Sequence, residues 1–426
     1  MPYMGRKAIT FQTLKGYAEY DPGSNRINHV PNSEILKTSI QESSYMISDK
    51  IQTKYISRFI IEITQDCNMR CSYCCFSGQY KGVRSHRNVA MSQDTIEEVI
   101  EFISKHHSNK PEGLHVGFYG GESLLRFESI KYIVERLSRI VESKLSFDIS
   151  TNGLLLTKDV VNWICAHDRI YAHISIDGDK SIHDANRRTA SGKGTYDRIK
   201  RNLVYFKETF PNEFKERIHI LSTAPDIKTI ERISEIWSKT YTSEFSPAVS
   251  TVTPNFCNYN VDLNNLVKAD LFYRKATSEY LKGEDTIMVK CLKSLIKPIE
   301  DRRIETRPPQ IELETCLNNL DTCFINSEGI LYSCEKINDN FIIGDVKNGF
   351  DIDKIQLINS LYSERVNKFC SKCWASRLCQ RCLVDLNYPE EQHEIRCKYE
   401  RGKILLALKY YCLLKDLQPK TDIKAE

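Results

Sequence analysis

Three cysteines at C-x3-C-x2-C spacing, Cys67, Cys71 and Cys74, close the strand-like run Arg58-Phe59-Ile60-Ile61-Glu62-Ile63-Thr64. No other feature constrains the fold as much. A loop leaving a strand end can aim three soft thiolates at one metal centre. A cubane iron–sulfur cluster has four irons, so three protein ligands leave one iron open. Structural metal sites close all their positions, whereas catalytic ones keep one free. A structural zinc loop would use the same spacing, so the rest of the chain has to decide.

From Arg58 to about Phe256 strand-like and helix-like runs alternate, which argues a parallel sheet with crossover helices. The strands are expected at 58–64, 114–119, 145–150, 171–176, 217–223 and 245–251, with helices at 92–106, 127–143, 157–166, 196–209 and 229–240. Ser92 followed by Asp94, Glu97 and Glu98 has the polar cap and early acids of a helix entry. Six such units make an α/β fold, an open, partial (β/α)6 barrel of TIM-like type. In such folds ligands sit at the carboxyl ends of the strands.

Chemistry-bearing residues cluster at those ends. The second strand runs into Gly120-Gly121-Glu122-Ser123, where two glycines allow close backbone approach and Glu122 adds an acceptor. The third ends at Ser150-Thr151-Asn152-Gly153 and the fourth at Ser175-Ile176-Asp177-Gly178. Downstream, His183-Asp184-x-x-Arg187 supplies an arginine suited to a bidentate carboxylate contact, with Arg198 as a rival. Each of these also reads as an ordinary strand-end turn when taken alone.

Composition narrows the class. Of 426 residues 41% are hydrophobic and 27% charged, as in ordinary globular proteins, and the net charge of +4 makes no case for nucleic acid or a membrane surface. No run approaches the length of a membrane span, and the start MPYMGRKAITFQ has no apolar signal core. The 16 cysteines are the anomaly. Without a signal peptide they point to metal ligation in a reducing cytoplasm, not to disulfides.

A second field holds Cys316, Cys323 and Cys334, then Cys370, Cys373, Cys379, Cys382 and Cys397. These eight thiols could close two four-iron clusters or two zinc sites, and the count cannot name the metal. Before the first strand, turn chemistry at Asp21-Pro22-Gly23-Ser24-Asn25 predicts a hairpin in residues 1–57, with a helical pattern from Pro31 to Ile40. Residues 257–310 read as a bridge, helical over 263–283. The segment 401–426 reads as an amphipathic helix and a polar tail. Cys75 and Cys257 are free-thiol candidates for a substrate-side role, with an inert buried thiol as the reading preferred for both.

With Tyr73 before the third cysteine, the Cys67–Cys74 loop and the Gly-Gly-Glu turn resemble the radical S-adenosylmethionine (radical SAM) superfamily. The resemblance implies a SAM-binding [4Fe–4S] cluster on Cys67, Cys71 and Cys74. It also implies SAM contacts from Tyr73, Gly120, Gly121, Glu122, Ser150, Asn152, Ser175 and Arg187. Ser123 stands where the family usually has proline. The second field resembles the SPASM extension of peptide-modifying members, which implies two auxiliary [4Fe–4S] clusters, three in all. Cys316, Cys323, Cys334 and Cys382 would hold the nearer one, and Cys370, Cys373, Cys379 and Cys397 the farther. The domains are then 1–57, 58–309, 310–400 and 401–426. Residues 1–57 resemble a trimmed leader-peptide recognition module, or else form an extension that covers the barrel edge.

Glu335, next to Cys334, stands where sulfatase-maturating relatives carry an aspartate base. A buried carboxylate there could take a proton from substrate, or could simply pair with Lys336 or Arg303. The expected function is an oxidoreductase that matures a ribosomally made precursor peptide by an oxidative crosslink (thioether, C–C or C–O), with an external donor such as flavodoxin or ferredoxin. Glutamate in place of aspartate counts against sulfatase maturation, which stands as the alternative within enzymes. A non-catalytic zinc-binding interaction module is the alternative from another class.

Overall fold

The computed structural model describes residues 9–13, 16–30, 43–47, 50–53, 55–78, 84–107, 113–141, 144–240, 248–251, 264–306, 308–337 and 339–417. The helical pattern from Pro31 to Ile40 and Cys257 lie outside them. The chain divides into two compact units, one of residues 48–258 and 314–359, the other of residues 1–47, 259–313 and 360–426.

The first of these units is built on a ten-stranded sheet. Its parallel part contains β1 (Arg58–Thr64), β2 (Leu114–Gly120), β3 (Leu145–Thr151), β4 (Ile170–Ser175), β5 (Ile218–Ala224) and β6 (Ala248–Thr251). These are the six strands expected from the sequence, neighbouring one another in chain order. A seventh, β7 (Thr322–Ile325), pairs parallel to the open edge of β1, with Cys323 opposite Phe59. Nothing in the local pattern of 322–325 shows which strand it will join, because that pairing is non-local.

Alternation along the strands explains how a parallel sheet makes a cavity. Phe59, Ile61 and Ile63 of β1 are fully buried. Phe59 meets Phe102 of helix Gln93–His106 edge to face, at 6.2 Å between ring centroids. That helix is capped by Ser92, which accepts from the Thr95 amide, and it buries Ile96, Val99, Ile100 and Ile103 at helical spacing. Burying each such side chain contributes roughly 1.5–3 kcal/mol. β4 and β5 keep the same rhythm, with Ile170, Ala172, Ile174 and Ile218, Ile220 buried between more accessible polar residues.

The polar positions that alternate with these meet one another across neighbouring strands. His115 of β2 and His173 of β4 both pair with Asp148 of β3, the second at 3.2 Å. Ser146 of β3 sits 2.9 Å from the other nitrogen of His115. His173 stacks on His219 of β5 at 5.0 Å. A parallel sheet buried on both faces would be apolar throughout; these strands are amphipathic because one face lines open space.

The second unit contains a three-stranded antiparallel sheet, Ile9–Thr13, Gly16–Asp21 and Arg26–Val30, whose turn at Asp21–Asn25 is the one expected. Asp21 accepts from the amides of Gly23 and Ser24. Tyr20 shares a core with Ile299, Leu378, Ile404, Ala407 and Leu408. The N-terminal hairpin is thus packed with the C-terminal helix Glu390–Leu417, far from it in sequence. The stretch read as a bridge forms two helices of this unit, Asn264–Leu281 and Ile287–Glu300.

The Asp148 cluster gives a pH test. Burial pushes the Asp148 carboxyl up, but the hydrogen bonds from His115 and His173 outweigh it and hold the group well below the usual carboxylate range. A carboxyl lowered in the folded state contributes stability that is complete above about pH 4 and is lost as pH falls further. Thermal melts between pH 6 and pH 3 should therefore show a steeper acid loss for the native chain than for Asp148→Asn. Equal slopes would contradict this reading of the cluster.

Candidate active site

The cysteine loop starts where β1 ends. Asp66 accepts from the Cys67 amide at 2.8 Å, and the Cys67 sulfur accepts from the Met69 amide at 3.4 Å. The loop is held on its far side by residues 186–190, with Arg70 N donating to Arg188 O at 2.7 Å and Ser72 N to Asn186 O at 3.0 Å. Met69 is buried beneath it.

The Gly-Gly-Glu turn meets this loop backbone to backbone. Gly121 N donates to Thr64 O and Glu122 N to Asp66 O, both at 2.9 Å. A Cβ on Gly121 would fall 2.0 Å from Asp66 O, and one on Gly120 2.2 Å from Thr64 O, with Gly120 at φ +129°. The glycines are thus required for the turn to reach the cysteine loop. Glu122 is buried and accepts from the Thr151 hydroxyl at 2.6 Å, Asn152 N at 2.7 Å and Leu124 N at 3.1 Å. Burial pushes its carboxyl up in spite of these donors. Asn152 passes the connection on, donating to the Asn68 side chain at 2.7 Å.

These contacts enclose a cavity of about 470 Å³. Cys67, Cys71, Tyr73 and Cys74 line it together with Gly120, Gly121, Ser150, Asn152, Ser175 and Arg187. All the site residues expected on the first cysteine loop and the strand ends are therefore gathered here except Glu122, whose carboxylate faces Thr151 and Asn152. Arg187, buried, pairs with Asp177 at 2.9 Å, and the Tyr73 hydroxyl donates to the same carboxylate. Its guanidinium lies 5.3 Å from the centre of the Tyr73 ring. Arg198, the rival, is exposed on helix Tyr196–Thr209. His183 and Asp184 are structural: His183 bonds Thr195 and the Asp177 amide, and Asp184 accepts from the amides of Thr195 and Tyr196.

Burial pushes the Cys67 thiol up to about 12 and the Cys71 thiol up to about 11, with Arg187 pulling Cys71 the other way. The Cys74 thiol is pushed up to about 12 by its hydrogen bond to Cys75 and by burial. Such thiols become thiolates when a metal cation offsets the burial cost. Three soft donors on one loop, facing a cavity rimmed by hydroxyl, amide and guanidinium groups, fit an iron–sulfur cluster with a polar ligand beside it. Among the described residues, no three His, Cys, Asp or Glu side chains gather tightly enough to hold a single metal ion.

Sequence reasoning missed several neighbours. Asp177 organises Arg187 and Tyr73, yet only the serine of its motif stood out. His86 lies 3.5 Å from the Cys74 sulfur, and His173 and Tyr119 line the cavity, with no local pattern to flag them. Cys75 is a cavity-lining thiol, not an inert buried one. Glu335 lines a neighbouring cavity of about 290 Å³ with Glu62, Arg84, Phe76 and Tyr332. Glu62 there is buried, ion-paired to Arg84 and bonded to Gln65 at 2.9 Å. Phe76 lines both cavities.

The other thiols are distributed over both units. Cys316 is exposed in a turn, Cys323 is buried on β7 and Cys334 follows strand Ile330–Tyr332. Cys382 belongs to the other unit. In that unit Cys370, Cys373, Cys379 and Cys397 line a single cavity.

If Glu122 fastens the cysteine loop, Glu122→Ala strands three buried donors. At about 1–3 kcal/mol per unmet buried group, and with partial relaxation, the loss should be on the order of 3 kcal/mol. A thermal or denaturant melt measures it, and Glu122→Gln should fall between. A melt unchanged in Glu122→Ala would remove the fastening role.

Residues 61–234 match the Radical SAM superfamily model. Along most of the chain, the sequence is 23% identical to the cysteine-type anaerobic sulfatase-maturating enzyme of Clostridium perfringens (strain 13 / Type A), covering 84% of this chain and 93% of that protein. It is 24% identical to the enzyme of the same name from Clostridium novyi (strain NT), covering 74% and 81%. The fold is that of the solved structure "Native anSMEcpe with bound AdoMet and Cp18Cys peptide", with a TM-score of 0.61 over 85% of this chain and 99% of that one at 16% identity. These matches overturn the expectation of a precursor-peptide crosslinking enzyme, since the relatives aligning along most of the chain are sulfatase-maturating enzymes. Glutamate at position 335 keeps the carboxylate of an aspartate and adds one methylene, so the difference is compatible with sulfatase maturation. Residues 61–234 thus form a radical SAM domain, followed by a cysteine-rich C-terminal region.

Proposed function

We propose that this protein oxidises a cysteine side chain of a protein substrate to formylglycine, in the manner of the anaerobic sulfatase-maturating enzymes. The observation that carries the reading is the likeness to the Clostridium perfringens enzyme over 93% of that protein's length. A match to the radical SAM domain alone would leave the substrate open. The cavity supports it, being wide enough for a cofactor and a side chain and bordered by a second cavity that bears a carboxylate.

In this reading Cys67, Cys71 and Cys74 hold a [4Fe–4S] cluster, and Tyr73, Gly120, Gly121, Ser150, Asn152, Ser175 and Arg187 surround SAM. When bound, the cluster and SAM supply the hydrogen-abstracting radical chemistry. Glu122 keeps the glycine turn and Asn152 against the cysteine loop, so its part is to position. Arg187, with one edge on Asp177, offers the rest of its guanidinium to a carboxylate. Glu335 takes the substrate's proton; its charge already acts on Cys75 and Tyr119, both of which line the cysteine cavity. Cys370, Cys373, Cys379 and Cys397 would hold one auxiliary cluster. Cys316, Cys323 and Cys334 would contribute to another; an external donor such as flavodoxin or ferredoxin would supply the electron for SAM cleavage, and the electron given up by the substrate would pass to the auxiliary clusters.

No helix of the described residues is long and apolar enough to cross a membrane. Protein prepared without oxygen, reconstituted and supplied with SAM and a reductant, should convert a cysteine-bearing sulfatase-type peptide to an aldehyde that a hydrazide traps. Cys71→Ala should abolish deoxyadenosine formation while the auxiliary iron remains. SAM cleavage with the peptide left unaltered would sink the formylglycine reading but not the family. Glu335→Gln should preserve SAM cleavage and slow aldehyde formation by about 10²–10⁴; an undiminished yield would strip Glu335 of its role as base.

A further inference from the structure

The cavity lined by Cys370, Cys373, Cys379 and Cys397 is also lined by three arginines, Arg381, Arg396 and Arg401. Arg396 forms an ion pair with Asp385 and Arg401 with Glu394 at 3.0 Å, so both charges are already matched by carboxylates. Arg381 has no carboxylate partner among the described residues. Its guanidinium carbon lies 4.9 Å from the centre of the Tyr45 ring, and its Nη1 is buried without a hydrogen-bond acceptor. A guanidinium stays charged at any pH a protein survives. A buried cation without an anion is costly, and removing its partner leaves an uncompensated charge. The carboxylates that line the cavity, Asp385 and Glu400, are paired with Arg396 and with Lys403, the second at 3.3 Å, which leaves the thiolates to face Arg381.

We propose that Arg381 is the fixed counter-charge of an iron–sulfur cluster on these four thiols, and that it raises the cluster's reduction potential. The inference rests on the reading that the four cysteines hold a cluster. A four-thiolate cubane is already anionic when oxidised and gains a further negative charge on reduction. A nearby fixed cation in a low-dielectric pocket therefore favours the reduced form. Arg396 and Arg401 contribute less, since each is neutralised by its own carboxylate. Tyr45 packs against the guanidinium, and Arg381 is a tuning residue that need not touch substrate.

The test uses the full chain with Cys67, Cys71 and Cys74 changed to alanine, so that only auxiliary iron is reconstituted. Iron and sulfide are measured, and an EPR-monitored redox titration is run on this parent, on Arg381→Met and on Arg381→Lys. The midpoint potential of one cluster should fall in Arg381→Met and stay near the parent in Arg381→Lys. An unchanged midpoint in an iron-replete Arg381→Met would overturn the proposal. If Arg381→Met loses its iron, Arg381→Lys decides: iron retained supports a role for charge, and iron lost shows that shape alone is needed and defeats it. A Cys379→Ala control separates the two levels. If it leaves the parent's iron content unchanged, the four-thiol cluster itself is wrong, whatever Arg381 does.

Discussion

One buried carboxylate fastens the site together. Glu122 collects the Thr151 hydroxyl and two backbone amides, while its own amide reaches Asp66 beside Cys67. Three strand ends that have no local reason to be near one another are thereby tied to the same few atoms. The two glycines before it are needed because any side chain would strike the backbone of the cysteine loop. The turn that resembles a ligand-binding motif is thus first a joint, and it can serve a ligand because the joint leaves the amides and glycines of the neighbouring strand ends facing a cavity.

The opposite wall is built on a second buried carboxylate. Asp177 holds Arg187 and the Tyr73 hydroxyl, and Arg187 in turn acts on Cys71. An arginine aimed at a cavity needs such an anchor, since a long side chain would otherwise lose its orientation to rotamer freedom. Farther down the sheet the inner face stays polar through His115, Asp148 and His173. That polarity is a consequence of openness: strands of a half-closed barrel have one face under helices and one toward solvent-filled space, so they alternate as antiparallel strands do.

Fold and chemistry separate in what they say of function. The cysteine loop and the strand ends lie within the radical SAM domain of residues 61–234, yet one fold can serve many substrates. What distinguishes them lies along the rest of the chain, where the resemblance covers 93% of the Clostridium perfringens enzyme and 81% of the Clostridium novyi one. Two cavities, one rimmed by the thiols and one by Glu335, share Phe76 in their linings.

The sequence alone determined whatever rests on short-range pattern. Strands and helices from Arg58 onward follow from periodicity, the turn at Asp21–Asn25 from its composition, and the cysteine loop from spacing. Cavity-lining positions such as Ser150 and Ser175 were legible because they stand at strand ends, where a parallel sheet brings ligand-facing residues, whereas Arg187 closes the helix Lys180–Asn186. Tertiary structure alone decided the rest. Only folding could show that Glu122 is spent on Thr151 and Asn152, that β7 extends the sheet beside β1, or that the N-terminal hairpin shares a core with the last helix. It also paired two cavity arginines with carboxylates and set Arg381 in one cavity with four thiols. Each of these turns on which distant partner satisfies a buried polar or apolar group, and that choice is made by packing across the chain, where local sequence carries no record of it.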